Sequence, residues 1–182
     1  IAAAELAEQA RKAPQERREQ AQNITQPCWL GVVDIDHFKK INDNFGHLFG
    51  DEVLLRVADL MRQSFRNNDK LFRFGGEEFV VMLRNVAEDH VQNIFNRFRA
   101  DVEKHDFPRV GRVACSLGFA RIDPRLSPAE LLGRADEALY YSKNNGRNQV
   151  NGFDELIMSG KLRINTPAGQ AQIQSDIDEI FL

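Results

Sequence analysis

Apolar positions along this chain fall by turns into short continuous runs and into helical stripes. "CWLGVVDID", residues 28–36, is an apolar run with β-branched residues and predicts a buried strand that runs out at Asp34. From Asp51 the period lengthens: Val53, Leu54, Val57, Leu60 and Met61 share one helical face. "KLFRF" and "EFVVML" flank Gly75-Gly76, and two such runs around a glycine pair predict a β-hairpin. A second helix follows, with Val91, Ile94, Phe95, Phe98 and Val102 along its inner stripe. "RVACSLGFARI" predicts another strand. "SPAELLGRADEALYYSKNNG" is the best-marked helix: Ser127 caps it, Pro128 suits its first turn, Glu130 closes a capping box and Gly146 stops it.

This order implies an α/β fold with a mixed sheet, because a hairpin is antiparallel whereas helical crossovers join parallel strands. The flanks read differently. Residues 2–22, rich in Ala, Glu, Gln and Arg, predict a mostly polar helix interrupted near Pro14. After Val150 the pattern loosens into Gly, Pro and Asn punctuation. It ends in an acidic stub with Ile173, Ile177, Ile180 and Phe181 at helical spacing, which is expected to dock as a helix or to remain disordered. The expected organisation is an N-terminal helix over 1–27, a catalytic domain over 28–152 and an extension over 153–182. The chain starts at Ile1 and is expected to be a piece of a longer protein.

Composition narrows the function classes. At 42% hydrophobic and 28% charged residues the chain is globular in character. Its net charge of −3 gives no global basic field, so nucleic acid is not an expected partner. No run approaches the roughly 20 apolar residues of a membrane span. Cys28 and Cys115 lie in apolar surroundings and read as reduced thiols in a reducing compartment. The four histidines show no metal-ligand spacing. There is no GxSxG elbow, and "FRFGGEEF" lacks the GK[ST] ending of a P-loop.

"RFGGEEFVVML" sets two adjacent carboxylates on a turn directly before a core strand. Burying charge without partners is costly, so a cation or solvent must meet them. If the strands of Asp34 and Glu77 are neighbours, both acids converge at one sheet edge, and hard oxygen ligands of that kind suit Mg²⁺. Taken singly, these residues read as a helix cap and a solvated turn. What favours a site is the company they keep: Lys39 and Lys40 after one acid, and Gly75 and Gly76 before the other, where a backbone can approach a bulky anion. Near the end of the last helix, Lys143 suits the helix dipole and Arg147 suits a bidentate phosphate. Asn42 and Asp51, around a Gly-punctuated loop, could read guanine or could simply form an Asx turn and a cap.

Three motifs in order, "DIDHFKKINDNFGHLFGDEVL", "RFGGEEF" and "ADEALYYSKNNGRN", resemble the GGDEF family of diguanylate cyclases over roughly residues 28–150. The resemblance implies a palm-like central mixed sheet flanked by helices, with GGEEF on a β-hairpin, similar to adenylyl cyclase catalytic domains. It implies condensation of two GTP into cyclic di-GMP by a homodimer, with Mg²⁺ or Mn²⁺ held by Asp34, Glu77 and the Ile35 carbonyl. Glu77 would also accept the 3′-hydroxyl proton, with Glu78 beside it. Asn42 and Asp51 would read guanine. Lys39, Lys143 and Arg147, with backbone amides near His37 and Phe38, would hold phosphates, and Arg73 would steady developing charge. "RNND" matches the family's R-x-x-D product-inhibition site, giving Arg66 and Asp69, with Arg97 as an added contact. An upstream sensor is implied, as is a cytoplasmic catalytic domain, with any membrane anchor in segments outside this chain. The family's usual D-x-L-T-G-L-x-N-R opening is absent. Two rival readings are a nucleotide receptor that keeps only the inhibitory site and a ligand-free dimerisation module. Both are disfavoured by the joint presence of Asp34, Glu77, Lys39, Asn42 and Asp51.

Overall fold

The computed structural model describes residues 27–163. The polar segment at 2–22 and the stub around Ile173 lie outside the described residues. In chain order the elements are β1 (Trp29–Ile35), α1 (Phe38–Phe45), α2 (His47–Ser64), β2 (Lys70–Arg73), β3 (Glu78–Leu83) and α3 (Glu88–Lys104). They continue with β4 (Asp106–Phe107), β5 (Gly111–Arg112), β6 (Cys115–Arg121), α4 (Pro128–Asn144), β7 (Val150–Gly152) and α5 (Phe153–Met158).

The main sheet has the order β2-β3-β1-β6-β7. β1 pairs antiparallel with both β3 and β6, β2 pairs antiparallel with β3, and β6 pairs parallel with β7. The expected mixed sheet is therefore present. The strands joined by helices do run parallel, but β1/β2 and β3/β6 each have an antiparallel strand between them, a split βαβ arrangement. β4 and β5 form a separate small hairpin.

β1 shows a continuous apolar run because both of its faces are covered, and all of its residues are buried. Trp29, Val33 and Ile35 join the core under α2 and α3, whereas Leu30 and Val32 join the one under α4 and α5. The predicted stripes are the packing faces: Val53, Leu54, Val57 and Met61 of α2, and Val91, Phe95, Phe98 and Val102 of α3, are buried. Gly118 of β6 lies under α4, where any Cβ would collide with Leu139 N, so α4 seats directly on the sheet. The capping box of Ser127 and Glu130 is formed as predicted.

Some elements differ from expectation. α2 begins at His47, ahead of Asp51. α1 was not foreseen, because its eight residues bury only Phe38 and Ile41, too few anchors to show a period. Packed structure also continues past Gly152: Phe153 and Leu156 of α5 are buried against the α4 side of the sheet. Cys115 is buried, and both cysteines are free thiols. Among the described residues no helix is long and apolar enough to cross a membrane.

Candidate functional site

β1 and β3 end together at one edge of the sheet. Asp34 stands opposite Glu78 in the register, and Ile35 N–H donates to Glu77 O at 3.4 Å. Directly paired residues project to the same face, with Cβ atoms about 4.5–5.5 Å apart. That face carries α4, whose Lys143 places Nζ 2.6 Å from Asp34 Oδ2. Asp34 is therefore a buried strand residue, not a helix cap, and Lys143 in the last turn of α4 does more than complement a dipole.

The acids here exceed the neutralising charge. Burial pushes the Asp34 carboxyl up, and Glu77 and Asp36 push it further, against the pull of Lys143. Glu78 is raised chiefly by burial, with the charges of Asp34, Asp136 and Glu77 adding to it. Asp136 on α4 keeps an exposed flank, yet the packing around its carboxyl still pushes it up. One lysine thus faces several carboxyls that gain from a further cation. Among the described residues no three His, Cys, Asp or Glu side chains gather into a closed metal cage. An open set of hard oxygen donors fits a divalent ion that brings part of its shell, as waters and phosphate oxygens, with it. Asp34 and Glu78, paired on one face, and Glu77, close enough for its charge to raise Asp34, are carboxyls that could hold such an ion.

The turn between the acids and β2 is closed by Arg73, whose exposed guanidinium donates to Gly75 O at 3.3 Å and Gly76 O at 2.8 Å. Phe74 N–H donates to Glu78 O at 2.9 Å. Neither glycine has a positive φ, and a Cβ added to Gly76 would meet nothing within 4 Å. The glycines leave room beside the acids and do not serve an unusual backbone. Below them, Asp51 and Arg73 line one cavity of ≈ 520 Å³ with Leu54, Phe72 and Phe79. Asn42 lies within α1 and Asp51 within α2, so neither is an Asx turn or a cap. The Asn42 amide packs against Gly50, where a Cβ would collide with it, which ties α1 to the chain just before Asp51. His37 turns β1 into α1 in the left-handed region, φ 59°. The amide of Phe38 opens the first turn, where N–H groups lack intrahelical partners. Lys39 and Lys40 are exposed on that turn.

Beyond α4 the chain returns through Gly146, Arg147 and Asn148, all at positive φ. A left-handed backbone costs a non-glycine residue on the order of 1–2 kcal/mol. The turn is held by Asp36, whose buried carboxylate accepts from Ser116 Oγ at 2.8 Å and from Asn148 N–H at 3.0 Å. Arg147 Nε stands 4.0 Å from Asp36 Oδ1. Sequence reasoning missed Ser116, Asn148, Arg99, Glu103 and Asp136. For Asp36 the only signal was its place just beyond a buried run, and nothing local marks the others.

The expected inhibitory residues lie at the far end of the hairpin. Arg66 and Arg97 line one cavity of ≈ 530 Å³ with Val86, His90, Asn93 and Ile94. Arg97 Nη2 also donates to Ser64 O at 2.8 Å. Asp69 is buried and does not line that cavity: its oxygens accept from the amides of Arg66 at 2.9 Å and Arg84 at 3.3 Å. Its carboxylate shapes the loop that presents Arg66.

A family model described as "Diguanylate cyclase, GGDEF domain" matches residues 6–149. Diguanylate cyclase DgcP of Pseudomonas aeruginosa is 40% identical over 124 residues, covering 66% of this chain and 18% of that protein. Diguanylate cyclase A of Treponema denticola is 42% identical over 123 residues, covering 65% of this chain and 33% of that protein. The chain thus spans a third or less of the length of these relatives. Among solved structures, the GGDEF domain of DgcB from Caulobacter crescentus in complex with c-di-GMP aligns with a TM-score of 0.68 and 34% identity, covering 79% of this chain and 85% of that one. The active GGEEF domain of a diguanylate cyclase from Vibrio cholerae aligns with a TM-score of 0.66 and 31% identity, covering 78% of this chain and 90% of that one.

Proposed function

The chain belongs to the GGDEF family of diguanylate cyclases, and on that premise we propose that it condenses two GTP into cyclic di-GMP, as a homodimer in which each copy holds one GTP. In each of two equivalent steps a ribose 3′-oxygen forms a bond to the α-phosphorus of the other GTP. The α–β phosphoanhydride bond breaks, and pyrophosphate leaves with the electron pair. Glu77 accepts the 3′-hydroxyl proton. Mg²⁺, or Mn²⁺ in its place, supplies charge neutralisation at the phosphates when bound. Asp34, Glu77 and the Ile35 carbonyl hold it, and Glu78 adds to the local negative charge. Lys39, Lys143, Arg147 and the amides near His37 and Phe38 hold phosphates. Gly75 and Gly76 leave room for the backbone to approach them, and Arg73 fixes their turn. Asn42 and Asp51 read guanine, and a polar pocket of that kind rejects a wrong base because its groups are left unpaired.

Arg66, Asp69 and Arg97 form the product-inhibition site: the two arginines bind phosphate and Asp69 holds the loop. A sensor upstream of this chain sets dimerisation, and the domain works in the cytoplasm, where GTP is supplied. Segments outside this chain carry any membrane anchor.

The observation that carries the reading is the pairing of Asp34 with Glu78, with Glu77 beside Ile35 and, among the described residues, Lys143 alone bridged to Asp34. Phosphoryl transfer needs positioning and charge neutralisation more than covalent help, and acids in excess of their lysine suit the cation that would bring the neutralising charge. The test is incubation of the chain with GTP and Mg²⁺, followed by chromatography for cyclic di-GMP. Product formation that stops on chelation agrees with the reading. No product at any protein concentration, with cyclic di-GMP still bound, would replace it with a receptor.

A further inference from the structure

We propose that Asn148 is a positioning residue for the triphosphate, locking the turn that presents Arg147; the inference rests on the reading of Arg147 as a phosphate-binding residue. The turn after α4 places three successive residues at positive φ: Gly146 at 113°, Arg147 at 59° and Asn148 at 47°. The glycine adopts this backbone freely and asparagine tolerates it, whereas Arg147 between them is strained. Such a conformation persists where its surroundings over-determine it.

Asn148 is where the surroundings do so. Its N–H donates to Asp36 Oδ2 at 3.0 Å, its side-chain NH2 donates to Glu103 Oε1 at 2.7 Å, and its side-chain oxygen accepts from Arg99 Nη1 at 2.7 Å. Arg99 Nη1 also donates to Glu103 Oε2 at 2.7 Å, closing a ring of three side chains. The donors from Arg99 and Asn148 hold the Glu103 carboxyl below its usual range. The next residue is fixed from the other side, since Leu117 N–H donates to Gln149 O at 2.9 Å. One flank of Arg147 is thus pinned to α3, the end of β1 and β6. Its own side chain is 43% exposed, with Nε 4.0 Å from Asp36 Oδ1, two residues from Asp34. Charged side chains that must meet a polyanion lose affinity when their backbone wanders, because the ordering cost then falls on binding.

A brace of this kind could instead serve only to tie α3 to the sheet, and a double-mutant cycle separates the two roles. The variants are Asn148→Gly, which keeps a left-handed backbone accessible while removing the ring, Arg147→Ala, and both together. The probes are the α,β-methylene analogue of GTP and guanosine, titrated calorimetrically in Mg²⁺, with thermal unfolding recorded for each variant. Asn148→Gly is expected to weaken the analogue about tenfold, the scale of one lost hydrogen bond to a charged group. Guanosine binding should stay unchanged, and the double variant should be no weaker than Arg147→Ala alone. Multiplicative losses, equal loss of guanosine, or wild-type analogue binding by Asn148→Gly would each overturn the inference while leaving Arg147 in its role. Unchanged analogue binding by Arg147→Ala would remove the reading beneath it, and the inference with it.

Discussion

Lys143 reaches across from α4 to place its ammonium 2.6 Å from Asp34 at the end of the central strand. It is the cation nearest a set of carboxyls held above their ordinary values by burial and mutual repulsion. The consequences can be measured.

The first concerns pH. Asp34 and Glu78 have folded-state values raised above the ordinary 3.8 and 4.5. An acid raised in this way favours folding when protonated, so its contribution is fully present below the unfolded value and lost as pH rises through the folded one. Lowering the pH towards the raised values should therefore reduce kcat/KM for GTP, which reports the metal-free protein and needs the ionised forms, without a matching loss of stability from these two groups. Values of kcat/KM and thermal unfolding recorded across the same pH series check this. Loss of stability ahead of loss of kcat/KM would count against it.

Glu77→Gln should abolish synthesis while leaving the fold intact. The residue sits on a half-exposed turn, so its stability change should stay within about 0.5 kcal/mol. Single-turnover assays beside thermal melts test both halves of the statement.

The two halves of the R-x-x-D motif should behave differently. Arg66→Ala should relieve product inhibition with little change in stability, because the side chain is exposed at a cavity wall. Asp69→Ala should destabilise the protein by about 1–3 kcal/mol, because it strips two backbone amides of their acceptor. Inhibition constants and urea melts on both variants would distinguish a ligand-binding arginine from a loop-shaping aspartate.

Turnover should rise faster than linearly with protein concentration if, as proposed, each copy holds one of the two GTP. Strict proportionality over two decades of concentration would show that a single copy suffices or that the dimer is already saturated. Sedimentation in the same range separates those two outcomes.

How much of this was legible beforehand depends on the range of the interactions. Val53, Leu54, Val57 and Met61 repeat at helical spacing, and that is the face α2 buries. Gly75-Gly76 between two apolar runs marked the hairpin, and Ser127 with Glu130 marked the start of α4, because each is a local rule. The convergence of Asp34 with the hairpin acids was conditional on strand neighbours, and the register of β1 with β3 met the condition. What stayed hidden was non-local. Asn148 meets Glu103 and Arg99 from a helix 45 residues away, and nothing in "NNGRN" announces it. α1 stayed hidden because a helix anchored by Phe38 and Ile41 alone leaves no period to read.

The hairpin of β2 and β3 is also a ruler. Its short strand separates the Arg66 loop from Gly75 by four residues, on the order of 13 Å of extended chain. A molecule seated at one end cannot displace a molecule seated at the other. On the proposed reading, product in the arginine cleft and GTP at the acidic edge do not compete for one place, so saturating GTP should leave inhibition standing, a kinetic signature set by the length of a strand.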